Sequence, residues 1–124
     1  MEKVVRGIRG ATTVKQNSAK DILEATCELL CTIVKKNELN TGDIASAIFT
    51  VTHDLNAEFP ATAAREIMDW KYVPLLCATE INVPGRLGKC IRVLVHVNTT
   101  RSQQELKHVY LKEAVQLRTD LLPQ

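Results

Sequence analysis

Apolar residues recur along this chain at two different spacings, and each switch between them marks an element. Val4 to Ala11 reads as a strand in which Gly7 and Gly10 let another backbone or a ligand come close. Thr12 to Asn17 is a polar connection. From Ser18 the spacing lengthens, and Ile22, Leu23, Thr26, Leu29, Leu30, Ile33 and Val34 follow a period of about 3.6 residues. Ser18 and Asp21 are set as a capping box, Lys35 and Lys36 complement the dipole at the far end, and Asn37 offers a stop. The pattern predicts a long helix, enough to cover one face of a sheet.

After the turn Asn40–Asp43, Ala45 to Thr52 reads as a second strand and His53 to Glu58 as a polar loop. Pro60 suits the first turn of a short helix running to about Trp70, with Ala61, Ala64, Ile67 and Met68 inward. Tyr72 to Ala78 is a third strand, and Pro74 within it calls for an edge or a bulge. Pro84 to Gly88 is a loop, Cys90 to Asn98 the fourth strand, and His108 to Leu111 a short fifth. Lys112 to Leu122 mixes Ala114, Val115 and Leu117 with charges. The expected fold class is therefore α/β (α+β), a single mixed β-sheet covered by one long helix. Residues 1–124 fit one domain. One helix leaves the other face of the sheet bare, and a small subunit of that kind buries such a face against copies of itself.

Composition narrows the function classes. Sixteen Lys+Arg against fourteen Asp+Glu give a net charge of +2, too slight a bias to point to nucleic acid. Five aromatics (Phe49, Phe59, Trp70, Tyr72, Tyr110) are too few for a base-stacking surface. No apolar run approaches the roughly 20 residues that span a bilayer, and the N-terminal residues lack a signal-peptide core, so a cytoplasmic protein with no membrane partner is expected. Cys27, Cys31, Cys77 and Cys90 have no zinc-site spacing and read as buried free thiols in a reducing compartment.

Arg92 then demands an explanation. It sits between apolar residues in Cys90-Ile91-Arg92-Val93-Leu94-Val95, and a guanidinium buried without a partner costs several kcal/mol. Either it faces water at a strand edge or a fixed anion waits for it. Arg9, between Gly7 and Gly10, and Arg65, in an Ala-rich stretch, are similarly confined. Each alone could be a surface arginine; together they suggest a pocket for a small anion with more than one acidic group. Glu80 could be a solvated carboxylate at a strand end or the counter-charge of a pocket arginine. Strict alternation puts Cys77 and Glu80 on opposite faces unless the strand ends or bulges between them. Tyr110 reads as half-buried packing or as a ligand donor. His53, His96 and His108 share no spacing with an acidic orienter, and no nucleophile elbow, Walker or dinucleotide loop occurs. What remains suits a reaction in which the substrate makes its own bonds and the protein supplies shape and fixed charge.

Five blocks of the sequence carry a resemblance. They are Val5-Arg6-Gly7-Ile8-Arg9-Gly10-Ala11-Thr12-Thr13-Val14, Asp54-Leu55-Asn56-Ala57 with Phe59-Pro60-Ala61, Tyr72-Val73-Pro74, Cys90-Ile91-Arg92-Val93, and His108-Val109-Tyr110-Leu111. In order and in gaps they resemble the small monofunctional chorismate mutases of the AroH class, over nearly the whole chain. The resemblance implies a homotrimeric pseudo-α/β barrel with active sites between subunits. It also implies rearrangement of chorismate to prephenate, on the way to phenylalanine and tyrosine, with no cofactor and no metal. By position, Arg9, Cys77, Glu80, Arg92 and Tyr110 resemble the polar wall from one subunit. Phe59 and Arg65 resemble the neighbour's contribution, and Leu75, Leu76 and Leu117 the apolar lining. Thr62 stands where the family often has lysine, and Leu76 where it often has threonine; Arg118 could serve a C-terminal tail that closes the cleft. A trimeric module that binds a small anionic metabolite without chemistry is the alternative. An imine deaminase is a further analogy of fold only, since its sequence blocks do not match.

Overall fold

The computed structural model describes residues 2–117. Five strands, β1 (Val4–Thr13), β2 (Ile44–Val51), β3 (Leu75–Thr79), β4 (Cys90–Thr99) and β5 (Val109–Tyr110), form one sheet in the order β3-β2-β4-β1-β5. The central β4 runs antiparallel to β1 and β2, and the outer β3 and β5 run parallel to their neighbours. The sheet is mixed and the fold is α+β, as the sequence predicts. Among the described residues, no helix is long and apolar enough to cross a membrane.

The long helix α1 spans Ala19–Asn37, and Ser18 caps it by accepting from the Asp21 backbone N–H at 3.1 Å. Its Leu29, Leu30 and Ile33 are fully buried in one core with Ile8, Phe49, Val93, Val95 and Val97. Each such side chain contributes about 1.5–3 kcal/mol by leaving water. The helix comes so close to β1 that a Cβ on Gly10 would stand 2.7 Å from Ile33 Cδ1 and 3.1 Å from Leu29 Cδ1. Gly10 is thus a packing requirement of the helix.

Alternation along β4 divides the sheet into two faces. Ile91, Val93, Val95 and Val97 are buried on the helix side, while Arg92, Leu94 and His96 are half-buried on the side that, among the described residues, no α-helix covers. Partners on β1 and β2 share each side, so Gly7, Arg9, Ser46, Ile48 and Thr50 lie on the bare face with Arg92. One end of that face is partly roofed by the 3-10 turns Lys112–Leu117, whose Ala114 and Leu117 pack on Ala11 and Cys90.

Several expectations need correction. α1 does end at Asn37, but the residue that turns the chain is the next one, Glu38, with a left-handed φ of 50°. Asn37 is buried and ties the helix to the approach to β5, donating to Lys107 O at 2.9 Å and accepting from Lys107 N at 2.8 Å. The short helix expected to reach Trp70 is one turn, α2 (Pro60–Thr62), followed by a π-helical turn Ala63–Ile67. The wider turn is closed by Met68 N to Ala63 O at 3.0 Å and the chain then by Trp70 N to Ala64 O at 2.9 Å. Ile67, expected inward, is rotated out to 58% exposure, and Trp70 fills the inner position. β3 starts at Leu75 and not at Tyr72, because Pro74 has no N–H to give; its carbonyl still accepts from Ala47 N at 3.0 Å. The four cysteines are free, yet only Cys90 is buried, and Cys31 lies on the exposed side of α1.

Candidate active site

The bare face resolves the problem posed by Arg92. Its strand is central, so it is not an edge residue, and its side chain keeps 38% exposure instead of entering the core. A counter-charge is present: Arg92 Nε lies 3.8 Å from Glu80 Oε2. That separation exceeds the roughly 2.7–2.9 Å of a charge-assisted hydrogen bond, so the pair is close without being locked.

Glu80 reaches Arg92 because it is the first residue beyond β3. Its N–H donates to Val51 O at 2.8 Å, which extends the pairing with β2 by one step. Its carboxylate accepts a hydrogen bond from the Thr50 hydroxyl. Thr50 in turn stands opposite Ala78 on one side and Arg92 on the other. β2, β4 and the residue that follows β3 therefore bring Thr50, Arg92 and Glu80 together. Thr50 was not singled out in the sequence. The signal available was its place two residues before Thr52 on a strand whose alternate positions face the arginines.

Beside this group lies a pocket of ≈ 260 Å³ bounded by Arg9, Ile48, Thr50, Arg92, Leu94 and Tyr110. Arg9 sits opposite Leu94, one step along the same face from Arg92. Its backbone N–H donates to His108 Nδ1 at 2.9 Å, which helps fix where β5 joins β1. Tyr110 is half-buried on β5 opposite Ala11, and packs on the small cluster with Cys90 and Ala114. None of the described residues lining this pocket is acidic. With two arginines among the described residues of its wall and Glu80 beside Arg92, the site suits an anion.

Other expected site residues are placed differently. Leu75 and Cys77 alternate onto the helix-covered face and pack on the main core, so their side chains point away from Arg92. Cys77 and Glu80 do lie on opposite faces, and of Cys77 only the backbone, at the sheet edge, is near the site. Leu76 takes the bare face and is 68% exposed. Leu117 packs beside Tyr110. Phe59 and Arg65 are exposed and do not line the pocket. Arg118 lies outside the described residues.

The start of β4, two residues before Arg92, is clamped. Asp54 accepts from the Lys89 backbone N–H and from the Thr52 hydroxyl, and the Thr52 hydroxyl accepts from Cys90 N at 3.0 Å. Burial pushes the Cys90 thiol up from its ordinary range, and the neighbouring Arg92 opposes this without reversing it. The thiol thus stays protonated beside the guanidinium at neutral pH. A larger, open depression of ≈ 780 Å³ lies between α1 and Lys112–Leu117. Its carboxylates (Asp21, Glu24, Glu28, Asp54 and Glu113) outnumber its lysines, so it repels the dianion that the smaller pocket suits.

A cationic cleft without a nucleophile or an acid–base pair matches what the comparisons with known proteins find. The model of the family chorismate mutase type I matches residues 5–121. The chain belongs to the chorismate mutase type I family. It is 45% identical over 118 residues to chorismate mutase AroH of Bacillus subtilis, covering 95% of this chain and 93% of that one. Against chorismate mutase AroH of Thermus thermophilus the identity is 50% over 119 residues, covering 95% and 97%. The solved structure of a chorismate mutase from Clostridium thermocellum superposes with a TM-score of 0.86 at 53% identity, covering 88% of this chain and 96% of that one. Chorismate mutases of this family are isomerases, and that is the activity of this chain.

Proposed function

We propose that the chain converts chorismate to prephenate in the pocket around Arg92, as a homotrimer whose neighbouring subunit completes each site. The observation that carries the reading is the group Glu80–Thr50–Arg92 beside Arg9 and Tyr110, with no acidic group among the described residues of the pocket wall. Chorismate is a dicarboxylate with an enolpyruvyl ether. The ether C–O bond breaks while a C–C bond forms within the same molecule, so no external electron or group donor is needed. No proton has to move either.

Negative charge builds on the ether oxygen as that bond stretches. Arg92 donates to the oxygen as the charge develops, a preorganised stabilisation like that of an oxyanion hole. Arg9 and Tyr110 hold the side-chain carboxylate, which folds the enolpyruvyl arm over the ring and supplies the proximity effect. Glu80 accepts from the ring hydroxyl and keeps Arg92 aimed. Leu76 and Leu117 supply apolar wall, and Leu75 and Cys77 contribute through backbone groups at the edge of β3.

The trimer reading has its own support. Val5, Ile48 and Leu76 are exposed large apolar residues of the bare face, and a subunit that left them in water would carry an apolar patch without a partner. Phe59 and Arg65, away from the pocket of their own subunit, are available to a neighbour's. Purified protein given chorismate is expected to form prephenate, with a solution mass three times that of the chain. Chorismate left unconsumed, with the ligand still bound, would replace catalysis by a binding module.

A further inference from the structure

Glu80 stands just beyond the last rung of β3, at the end of a side chain with several rotatable bonds. A carboxylate this near a guanidinium has an obvious alternative, which is to close up and pair with it directly at about 2.7–2.9 Å. In this structure the closest approach stays at 3.8 Å. The oxygen nearest Arg92, Oε2, is the one that accepts from the Thr50 hydroxyl. Thr50 is well suited to hold it. A β-branched side chain is stiff at its first torsion, and the Thr50 backbone is paired on both sides, to Ala78 and to Arg92. Thr50 also forms part of the pocket wall.

We infer that Thr50 is a positioning residue: its hydroxyl restrains the Glu80 carboxylate from full pairing with Arg92, and so keeps the guanidinium available to the oxygen that becomes anionic. This rests on the reaction proposed above. Without the hydroxyl, Glu80 closes on Arg92 and competes with the developing charge, so the loss falls on the transition state more than on substrate binding.

Thr50→Val removes the hydroxyl with little change of shape, and Thr50→Ser keeps it. With the full-length chain acting on chorismate, and the melting transition and assembly mass of each variant recorded, Thr50→Val is expected to lower kcat about tenfold or more while KM moves less than about threefold. Thr50→Ser is expected to stay within about threefold of wild type in kcat. In a Glu80→Ala background there is no carboxylate to restrain, so the valine is expected to change kcat by less than about twofold. Thr50→Ala provides the same comparison should valine disturb the strand. The inference is overturned by a Thr50→Val kcat within about twofold of wild type. Equal impairment in the serine and valine variants overturns it too, as does a valine effect undiminished in the Glu80→Ala background. A wild-type chain that makes no prephenate would remove the proposed reaction itself, and this inference with it; a fully active wild type with an unaffected Thr50→Val removes the inference alone.

Discussion

Both carboxylate oxygens of Asp54 accept from the backbone N–H of Lys89, at 3.1 and 2.9 Å, across the turn that starts the strand carrying Arg92. Gly88 is what lets the carboxylate come so close, since a Cβ there would lie 2.8 Å from Oδ2. Burial acts to raise the Asp54 pKa, but the hydrogen bonds from Thr52 and Lys89, together with the Lys89 charge, outweigh it and the net shift is downward. A carboxylate lowered on folding contributes stability above its unfolded range, and that contribution is lost as pH falls through the folded value. Asp54→Asn is therefore expected to cost about 0.5–1 kcal/mol at pH 7, discounted for its exposure. In urea unfolding the difference from wild type should shrink below about pH 4. A difference that stays constant into acid would assign the clamp to shape and not to charge.

Arg92→Lys keeps a positive charge and loses the planar fork of donors. The Nε that faces Glu80 disappears with it. If the fork is what stabilises the ether oxygen, kcat should fall by at least about 10² while the protein melts close to wild type. Steady-state kinetics on chorismate decide this, and a near-normal kcat would remove Arg92 from its role.

The sequence was most legible where local physics and packing agree. The period of Ile22 to Val34 announced α1, and the β-branched run from Cys90 announced β4, because both elements bury one continuous side. Arg9, Arg92 and Tyr110 could be singled out as polar residues in tight apolar settings, and the fold brings all three to one pocket. Legibility failed where tertiary context decides. The π-helical turn at Ala63–Ile67 inserts an extra residue that no local spacing signals, and it sends Ile67 outward. Resemblance placed Cys77 at the site while alternation set it on the face opposite Glu80, and its side chain follows the alternation. Thr50 was missed because a threonine in a strand has an ordinary meaning until its neighbours across the sheet are known.

Tyr110 is anchored by packing against Ala11, Cys90 and Leu117, so removing its hydroxyl should leave the pocket shape intact. Tyr110→Phe is expected to raise KM several-fold with kcat changed less than about threefold, as for a contact made equally in ground and transition states. A large kcat loss at unchanged KM would move Tyr110 into the stabilisation of the transition state.

The pH profile separates this chemistry from acid–base catalysis. Arginine side chains do not exchange protons near neutrality, and no histidine is among the described residues lining the pocket. Cys90, the thiol beside Arg92, is raised by burial and stays neutral. Accordingly kcat should be nearly flat between about pH 6 and 9, and a bell-shaped curve would show an acid and a base at work. Stability should behave differently. A thiol raised on folding contributes below its unfolded value near 8.5 and loses that contribution as pH rises through the folded one. Wild type is therefore expected to lose melting temperature on the alkaline side, and Cys90→Ala to flatten that fall.

Ile48 occupies the middle of the bare face, on the strand between Leu76 of β3 and Leu94 of β4, and is 36% exposed. In an isolated subunit a charge there, though at the pocket wall, would still meet water and cost little in stability, about 0.5 kcal/mol. Against a second copy the same charge would be buried without a partner, a penalty of several kcal/mol. Ile48→Glu is thus expected to keep its secondary structure by circular dichroism while the proposed trimer falls to monomers by light scattering. Activity should fall on two counts: the new carboxylate stands in the wall of the anion pocket, and in the proposed trimer Phe59 and Arg65 could then complete no site. An Ile48→Glu chain that remained trimeric would place the subunit contact on another surface, and one that became monomeric with full activity would show that each subunit holds a complete site by itself.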